Sequence, residues 1–592
     1  MRIPLARILE ARDKSRDLYS INRETAYLRH EALQERAQHK AEKRISELFI
    51  MVLCVFVLIG GRMGFVSLGH ATANNDSTLV EKHTRSRADI VDRNGRVLAT
   101  NFETHAVYAQ PHDLINPTNA VAKLVEIFPE LDHERLLRDF TGKRKFVWIK
   151  RNISPEQKQA VHDLGEPGLM FGPRKMRVYP NGHLAAHILG GTTYGEEGVN
   201  GAELIGVAGV EKYFDNELNN TGENDGPLKL SLDLTIQDAT ERVLSGGKNL
   251  MNAAGATAVL MDVHTGEVIA LASLPDFDPN NRPLPPNPTE KKSSESVLFN
   301  RAAQGVYELG SAFKIFAAAQ AMDLGIVTDE SIVDASAPMK IGRFTIKEFR
   351  NRDYGHISVS NVIVKSSNRG AARLALSIGH EKQRDFFKQI GMLDPAPLEI
   401  IEATGSQPLF PRNWTKTAAM TIAYGHGIST TPVHLAAGYA AIANGGYYIK
   451  PTIVKRSERI QRQRVLSAQS AAAAMTMLRK VVTHGTASFA KVAGYSIAGK
   501  TGTADKPKAN SGYHKDKVIS TFAAVFPADQ PKYVLVVSLD EPVDRSGKEP
   551  RRTAGWTAVP VAAELVGRVA PLLGLRPQFK VAAVSQTDLN SH

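Results

Sequence analysis

Three stretches of this chain carry residue types that could make and break an acyl bond. The first is Glu308-Leu309-Gly310-Ser311-Ala312-Phe313-Lys314. A serine and a lysine three positions apart share one face of a helix. Ser311 stands at the start of the apolar helical run that follows, where free N–H groups and the helix dipole favour negative charge. Phe313, Ile315 and Phe316 surround Lys314 in sequence, and desolvation lowers a lysine pKa until the amine accepts protons. A serine beside such an amine is an activated nucleophile. The second stretch, Ser366-Ser367-Asn368, lies between two helical runs and offers a hydroxyl and an amide at a helix junction. The third, Lys500-Thr501-Gly502-Thr503, ends a strand-like run, and Gly502 lets a ligand approach the backbone closely. None is specific alone. Ser-x-x-Lys recurs at Ser245/Lys248 and Ser488/Lys491, and Ser20-Ile21-Asn22 repeats Ser-x-Asn idly. Ordinary helix caps, turns and snorkelling lysines produce the same patterns.

These stretches need elements to bring them together. Gly255–Ser273 reads strand–turn–strand around His264-Thr265-Gly266-Glu267. Helical patterns fill 311–445. Strand patterns return at Tyr495–Thr503, Val518–Phe526 and Tyr533–Leu539, and a closing helix is expected at Val559–Leu573. Strands from both ends of a region, with helices between, predict an α+β fold with an antiparallel sheet and helical layers. This larger unit is expected over 226–577. Ahead of it, 69–85 reads as a polar stalk, and an Asn94-Gly95 turn splits two alternating runs between Asp89 and Ala109, a hairpin signal. Residues 112–170 read as mainly helical, with polar loops at 150–156 and 164–168, and 177–222 as Gly-rich and mixed.

The 592 residues carry a net charge of +12. No recognition helix, zinc-ligand set or aromatic-studded basic strand supports a nucleic-acid reading of that charge. The single cysteine, Cys54, excludes an intrachain disulfide. It lies within Leu48–Leu68, an apolar stretch interrupted only by Arg62 and about the length of a membrane span. A basic 1–47 segment precedes it, too long for the start of a signal peptide. The positive-inside rule then places 1–47 in the cytoplasm and everything after Leu68 outside. The tail 578–592 is expected to be flexible.

Ser-x-x-Lys, Ser-x-Asn and Lys-Thr-Gly, in this order and at these separations, resemble the active-site triplet of penicillin-recognising serine transpeptidases and serine β-lactamases. Tyr307–Lys314 is similar to the nucleophile box of class B penicillin-binding proteins, with Leu309 where Pro is usual and Ala312 where Thr is common. Neither change removes a reacting group. Arg87–Gly95, Arg177-Val178-Tyr179-Pro180 and Gly209-Val210-Glu211-Lys212 resemble boxes of that family's N-terminal pedestal, with Ala88 replacing a usual Gly. Gly425–Leu435 resembles a further catalytic segment, with His434 where Gln is common. The likeness runs in order over roughly 46–575. Asn368 favours the division-specific (FtsI-type) branch, since the elongation-specific branch often carries Asp there.

The resemblance implies a penicillin-binding transpeptidase fold on an elongated pedestal over 69–225, held by a single transmembrane helix at 48–68 in a bacterial inner membrane. It implies a peptidoglycan D,D-transpeptidase that cross-links stem peptides at the septum through a serine acyl-enzyme. Ser311 would be the nucleophile and Lys314 its base, Ser366 a proton relay, and Asn368 a substrate amide ligand. Lys500, Thr501, Gly502 and Thr503 would form the carboxylate-binding strand, with the N–H groups of Ser311 and Thr503 as oxyanion hole. Implied partners are peptidoglycan stem peptides, β-lactam antibiotics, the membrane, a septal SEDS-family glycosyltransferase and bitopic division proteins. No metal or other cofactor is implied, and no His/Cys/Asp/Glu set shows ligand spacing in the sequence. Rival readings are an elongation-specific transpeptidase, a non-catalytic β-lactam sensor or divisome scaffold, and a β-lactamase. For the last there is no clear deacylating Glu motif and no need of a pedestal. A built-in glycosyltransferase would have no room between Leu68 and Gly226.

Overall fold

Strands from both ends of the larger region meet in one antiparallel sheet. β1 (Gly255–Asp262), β2 (Val268–Leu274), β3 (Ala498–Pro507), β4 (Tyr513–Phe526) and β5 (Tyr533–Asp540) lie in the order β3-β4-β5-β1-β2, every neighbour antiparallel. The structure is a computed structural model and describes residues 48–60, 87–198, 201–220, 226–287, 295–341, 344–456, 460–508 and 512–579. Successive residues of β1, β2 and β5 are buried whichever way they point, so both faces of the sheet are covered. Two helix pairs supply the cover. α1 (Leu234–Leu250) packs with α6 (Ala558–Leu572), and α4 (Pro432–Ala443) with α5 (Ala468–His484). α2 (Lys314–Asp323) packs on α5 and on α3 (Asn368–Ile378).

The expected strands are present with shifted ends. β3 starts at Ala498 because Tyr495 is taken by a tight turn that bonds its N–H to the Val492 carbonyl. The hairpin expected around Asn94-Gly95 pairs Ile90–Val91 with Val97–Ala109, and Gly95 takes the left-handed φ of 87° that the turn requires. Val97–Ala109 then pairs with Leu169–Val178 and with Val147–Ile153. The last strand overlaps the expected 150–156 loop. Val147, Ile149 and Ile153 are buried in the core, Arg151 is exposed, and Lys150 and Asn152 are partly buried.

That core is a separate cluster in which Val107, Leu124, Phe128 and Phe140 pack under the pedestal helices Pro117–Ile127 and His133–Thr141. The main cluster runs continuously from Ile90, Leu98, Tyr179 and Val210 into the five-stranded antiparallel sheet, so apolar packing crosses position 226. Leu228–Lys229 reinforces this, pairing in parallel with Ile90–Val91.

The chain divides into two compact units, Met1–Lys82 and His83–His592. Within the first, residues 48–60 form a helix whose side chains are all exposed. Among the described residues no helix is long and apolar enough to cross a membrane. Positions 61–68 of the expected span lie outside the described residues, as do 1–47, the stalk and 580–592.

The three pedestal boxes converge on one buried carboxylate. Glu211 accepts from Arg87 Nε at 2.7 Å and from Arg177 Nε at 2.7 Å. The Tyr179 hydroxyl donates to it at 3.3 Å. Arg87 also grips the Glu211 carbonyl and Asp215. Removing one member leaves buried charge uncompensated. We predict that Glu211→Ala lowers the unfolding free energy by roughly 3–5 kcal/mol, read from a shifted denaturant midpoint of the purified protein. A change within 0.5 kcal/mol, the size of an ordinary surface substitution, would contradict this account.

Candidate active site

The first and third stretches are pressed together by backbone contact. Gly310 to Phe313 form one 3-10 turn, and α2 begins at Lys314. β3 is an edge strand, and it runs against this turn. A Cβ at Gly502 would sit 2.1 Å from the Leu309 carbonyl oxygen, and one at Gly310 2.7 Å from that of Thr503. Gly425, from the Gly425–Leu435 segment, closes the same knot: its Cβ would lie 2.0 Å from the Gly310 carbonyl oxygen. Behind the turn, buried Tyr439 on α4 donates to the Ala312 carbonyl at 2.8 Å. Phe313, Phe316, Phe387 and Tyr439 pack ring edge against ring face or tilted.

The second stretch enters from a helix break. Val359–Val364 ends at Lys365, Ser366 takes a left-handed φ of 61°, and α3 starts at Asn368 with Ser367 as N-cap. A non-glycine residue in that region is strained and needs its surroundings to hold it. The strain turns the Ser366 hydroxyl between two buried amines. Lys314 Nζ donates to Ser366 Oγ at 3.1 Å and Lys500 Nζ donates to it at 3.0 Å. Lys314 also bonds the Ser366 carbonyl, and Lys500 the Thr501 carbonyl at 3.0 Å. Both lysines are fully buried. Burial pushes Lys314 down to about 7, while the Glu348 charge pulls the other way. Burial holds Lys500 well below the ordinary lysine range, and the Lys314 charge adds to that.

Ser311, Lys314, Ser366, Lys500 and Gly502 are thus brought to one place. The Lys314 amine is bonded to Ser366 and not to the Ser311 hydroxyl, for which the described residues supply no hydrogen bond. Such contacts often tighten only when substrate arrives. Asn368 lies half-buried beside them, its amide nitrogen donating to the Lys347 carbonyl at 2.8 Å. The two threonine hydroxyls are each held by a hydrogen bond: Thr501 bonds Thr486 at 2.7 Å, and Thr503 accepts from the Ala554 N–H at 3.0 Å.

Residues 256–565 match the penicillin-binding protein transpeptidase domain, and 82–225 the penicillin-binding protein dimerisation domain. A probable peptidoglycan D,D-transpeptidase FtsI of Caulobacter vibrioides is 31% identical over 94% of this chain and 93% of its own length. The chain belongs to the penicillin-binding transpeptidases. The peptidoglycan D,D-transpeptidase FtsI of Escherichia coli K12 is 29% identical over 85% of this chain and 86% of its own. Penicillin-binding protein 3 of Mycobacterium tuberculosis, solved with ampicillin, superposes with a TM-score of 0.63 at 25% identity, covering 84% of this chain and 97% of that one. The α+β transpeptidase fold expected from the sequence is therefore the fold found.

One residue of this transpeptidase site escaped the sequence reading. Glu348 is buried, and its carboxylate accepts the Ser367 hydroxyl at 2.6 Å, the Asn368 N–H at 2.8 Å and the Arg369 N–H at 2.9 Å. It thus fixes the start of α3, and with it Ser366 and Asn368, and its charge also acts on Lys314. An acid in the polar run Ile346-Lys347-Glu348-Phe349-Arg350 gives no sequence signal, because such a residue is ordinarily solvated. All three of its hydrogen bonds go to the helix start, so its role is to position that element. Acylation by a β-lactam should fall about tenfold per pH unit below about pH 7, since it needs an unprotonated amine. Glu348→Gln removes the charge that raises Lys314, so this acidic limb should move to lower pH while the plateau rate drops. Stopped-flow acylation against pH checks both. A lower plateau with an unmoved limb would make Glu348 a purely structural cap.

Proposed function

We propose that this transpeptidase cross-links peptidoglycan stem peptides during septal wall synthesis, with Ser311 as nucleophile. The observation that carries the reading is the Ser366 hydroxyl shared by the two buried amines, 3.1 Å from Lys314 and 3.0 Å from Lys500. Neutral Lys314 takes the Ser311 proton as Oγ attacks the penultimate D-Ala carbonyl. The Ser311 and Thr503 N–H groups receive the oxyanion. The C–N bond breaks, and the proton passes from Lys314 through Ser366 to the departing D-Ala nitrogen. Lys500 holds charge near the terminal carboxylate, with Thr501, Gly502 and Thr503 forming the strand on which the substrate lies, and Asn368 bonds its amide. An amine of a second stem then attacks the ester, forming the cross-link and releasing Ser311. A β-lactam acylates the same oxygen and is released slowly.

The septal assignment rests on the FtsI relatives and on Asn368. We further propose that Leu48–Leu68 anchors the protein in the bacterial inner membrane, with 1–47 cytoplasmic, the pedestal over 69–225 and the transpeptidase domain over 226–577 both outside. The partners of this reading are a septal SEDS-family glycosyltransferase and bitopic division proteins.

Fluorescent penicillin should label the wild type covalently and leave Ser311→Ala unlabelled, while Ser366→Ala should label at least tenfold more slowly. Label retained on Ser311→Ala would remove the nucleophile assignment. Depletion should give long unseptated cells, whereas rounded cells would move the protein to the elongation branch.

A further inference from the structure

Far along the chain from the acyl chemistry, three segments bring one imidazole and two carboxylates together. His183 lies on the turn after Tyr179, Glu241 on α1, and Asp276 just after β2. His183 Nδ1 is 3.2 Å from Asp276 Oδ2 and 3.7 Å from Glu241 Oε2. The donor atoms of all three lie within 4.8 Å of one another. No sequence spacing pointed to this set, since each donor comes from a different element.

Glu241 separates this cluster from a chance surface ion pair. It is only 8% exposed. Its Oε1 accepts the Ala185 N–H at 2.9 Å and the Gln237 amide at 2.7 Å. Its Oε2 is buried, receives no hydrogen bond and faces His183 and Asp276. A buried carboxylate oxygen without a partner is costly, and here burial and the nearby Asp276 charge raise Glu241 to about 7. The donors are also held in place. Asn280 bonds both the N–H and the carbonyl of Tyr179, each at 2.9 Å, which stitches the 276–281 loop to the 179–185 turn. Asn181 anchors that turn to Val97, and Ala185 is kept at a left-handed φ of 59° with its N–H on Glu241.

We infer that His183, Glu241 and Asp276 bind a divalent first-row transition cation of the Zn²⁺ class. One nitrogen and two carboxylate oxygens suit such an ion. Two negative charges neutralise it, and the exposed side of His183 leaves room for water to complete the coordination. The ion supplies the partner that Glu241 Oε2 lacks. It also clamps the pedestal turn to α1 and to the strand end of the catalytic sheet, so its role is structural and separate from the acylation chemistry.

The test uses the detergent-solubilised full-length protein, equilibrated with Zn²⁺ alone and then dialysed. Elemental analysis should find roughly one retained ion per chain, falling at least fivefold in Glu241→Gln and in His183→Ala. His183 is exposed, so its variant tests the site even if the Glu241 variant folds poorly. Co²⁺ titration should give visible absorption of a nitrogen- and oxygen-ligated ion in the wild type, absent from His183→Ala. Fluorescent-penicillin labelling should be unchanged in His183→Ala. Equal Zn²⁺ retention by wild type and both variants, or none by the wild type, would overturn the assignment.

Discussion

Two buried amines meeting on one hydroxyl set the terms for the rest of the molecule. Lys314 and Lys500 each lie within 3.1 Å of Ser366 Oγ, so their nitrogens are no more than about 6 Å apart. Two unit charges at that separation cost about 3 kcal/mol at an effective dielectric near 20. Complete burial holds Lys500 below the ordinary lysine range, and the Lys314 charge acts in the same direction. The pair therefore sheds a proton near neutrality, and its titration belongs to the pair and not to either lysine. A neutral amine beside a serine in water-excluded surroundings is the condition for nucleophilic attack. Ser366, bonded to both amines, is the proton route of the proposed mechanism.

Burying the amines requires the three stretches to approach more closely than side chains normally allow. The fold achieves this with backbone. Gly310, Gly425 and Gly502 stack so tightly that a Cβ on any of them would overlap a neighbouring backbone atom. The edge position of β3 leaves one side of Gly502–Thr503 unpaired by sheet hydrogen bonds and turned to the nucleophile turn. Tyr439 and its phenylalanine neighbours fix that turn from below. On the other side Glu348 locks the start of α3, and this holds Ser366 in its strained conformation. Each lysine is thus surrounded by groups that are themselves immobilised, and an amine that cannot swing out to water keeps its depressed pKa.

The groups proposed to react were legible because their types and spacings are local. Ser311 and Lys314 need only a helical turn, and Lys500 and Gly502 need only the period-2 alternation of a strand. The sheet was legible for the same reason, since the apolar runs of β1, β4 and β5 are dense and bounded by turn residues. The groups that hold the site were not. Glu348 works through hydrogen bonds to a helix twenty residues on, and nothing in a polar run marks that. The strand Val147–Ile153 was masked by the consecutive polar residues Lys150, Arg151 and Asn152, of which only Arg151 is exposed.

Glu348 and Glu241 show how burial alone fails to assign a role to a carboxylate. Both are more than nine-tenths buried. Glu348 spends both oxygens on a helix start, where three donors and the helix dipole stabilise its charge, and it faces a site rich in amines. It is complete, so it positions. Glu241 satisfies one oxygen and leaves the other facing an imidazole and a second carboxylate. The surrounding charge there is negative, and the geometry is kept rigid by hydrogen bonds that do not involve the free oxygen. An imidazole and two carboxylates with one oxygen left without a hydrogen bond form a donor set that a cation completes. The satisfaction of each oxygen, counted atom by atom, is what separates a support of the active site from a candidate binding site of its own.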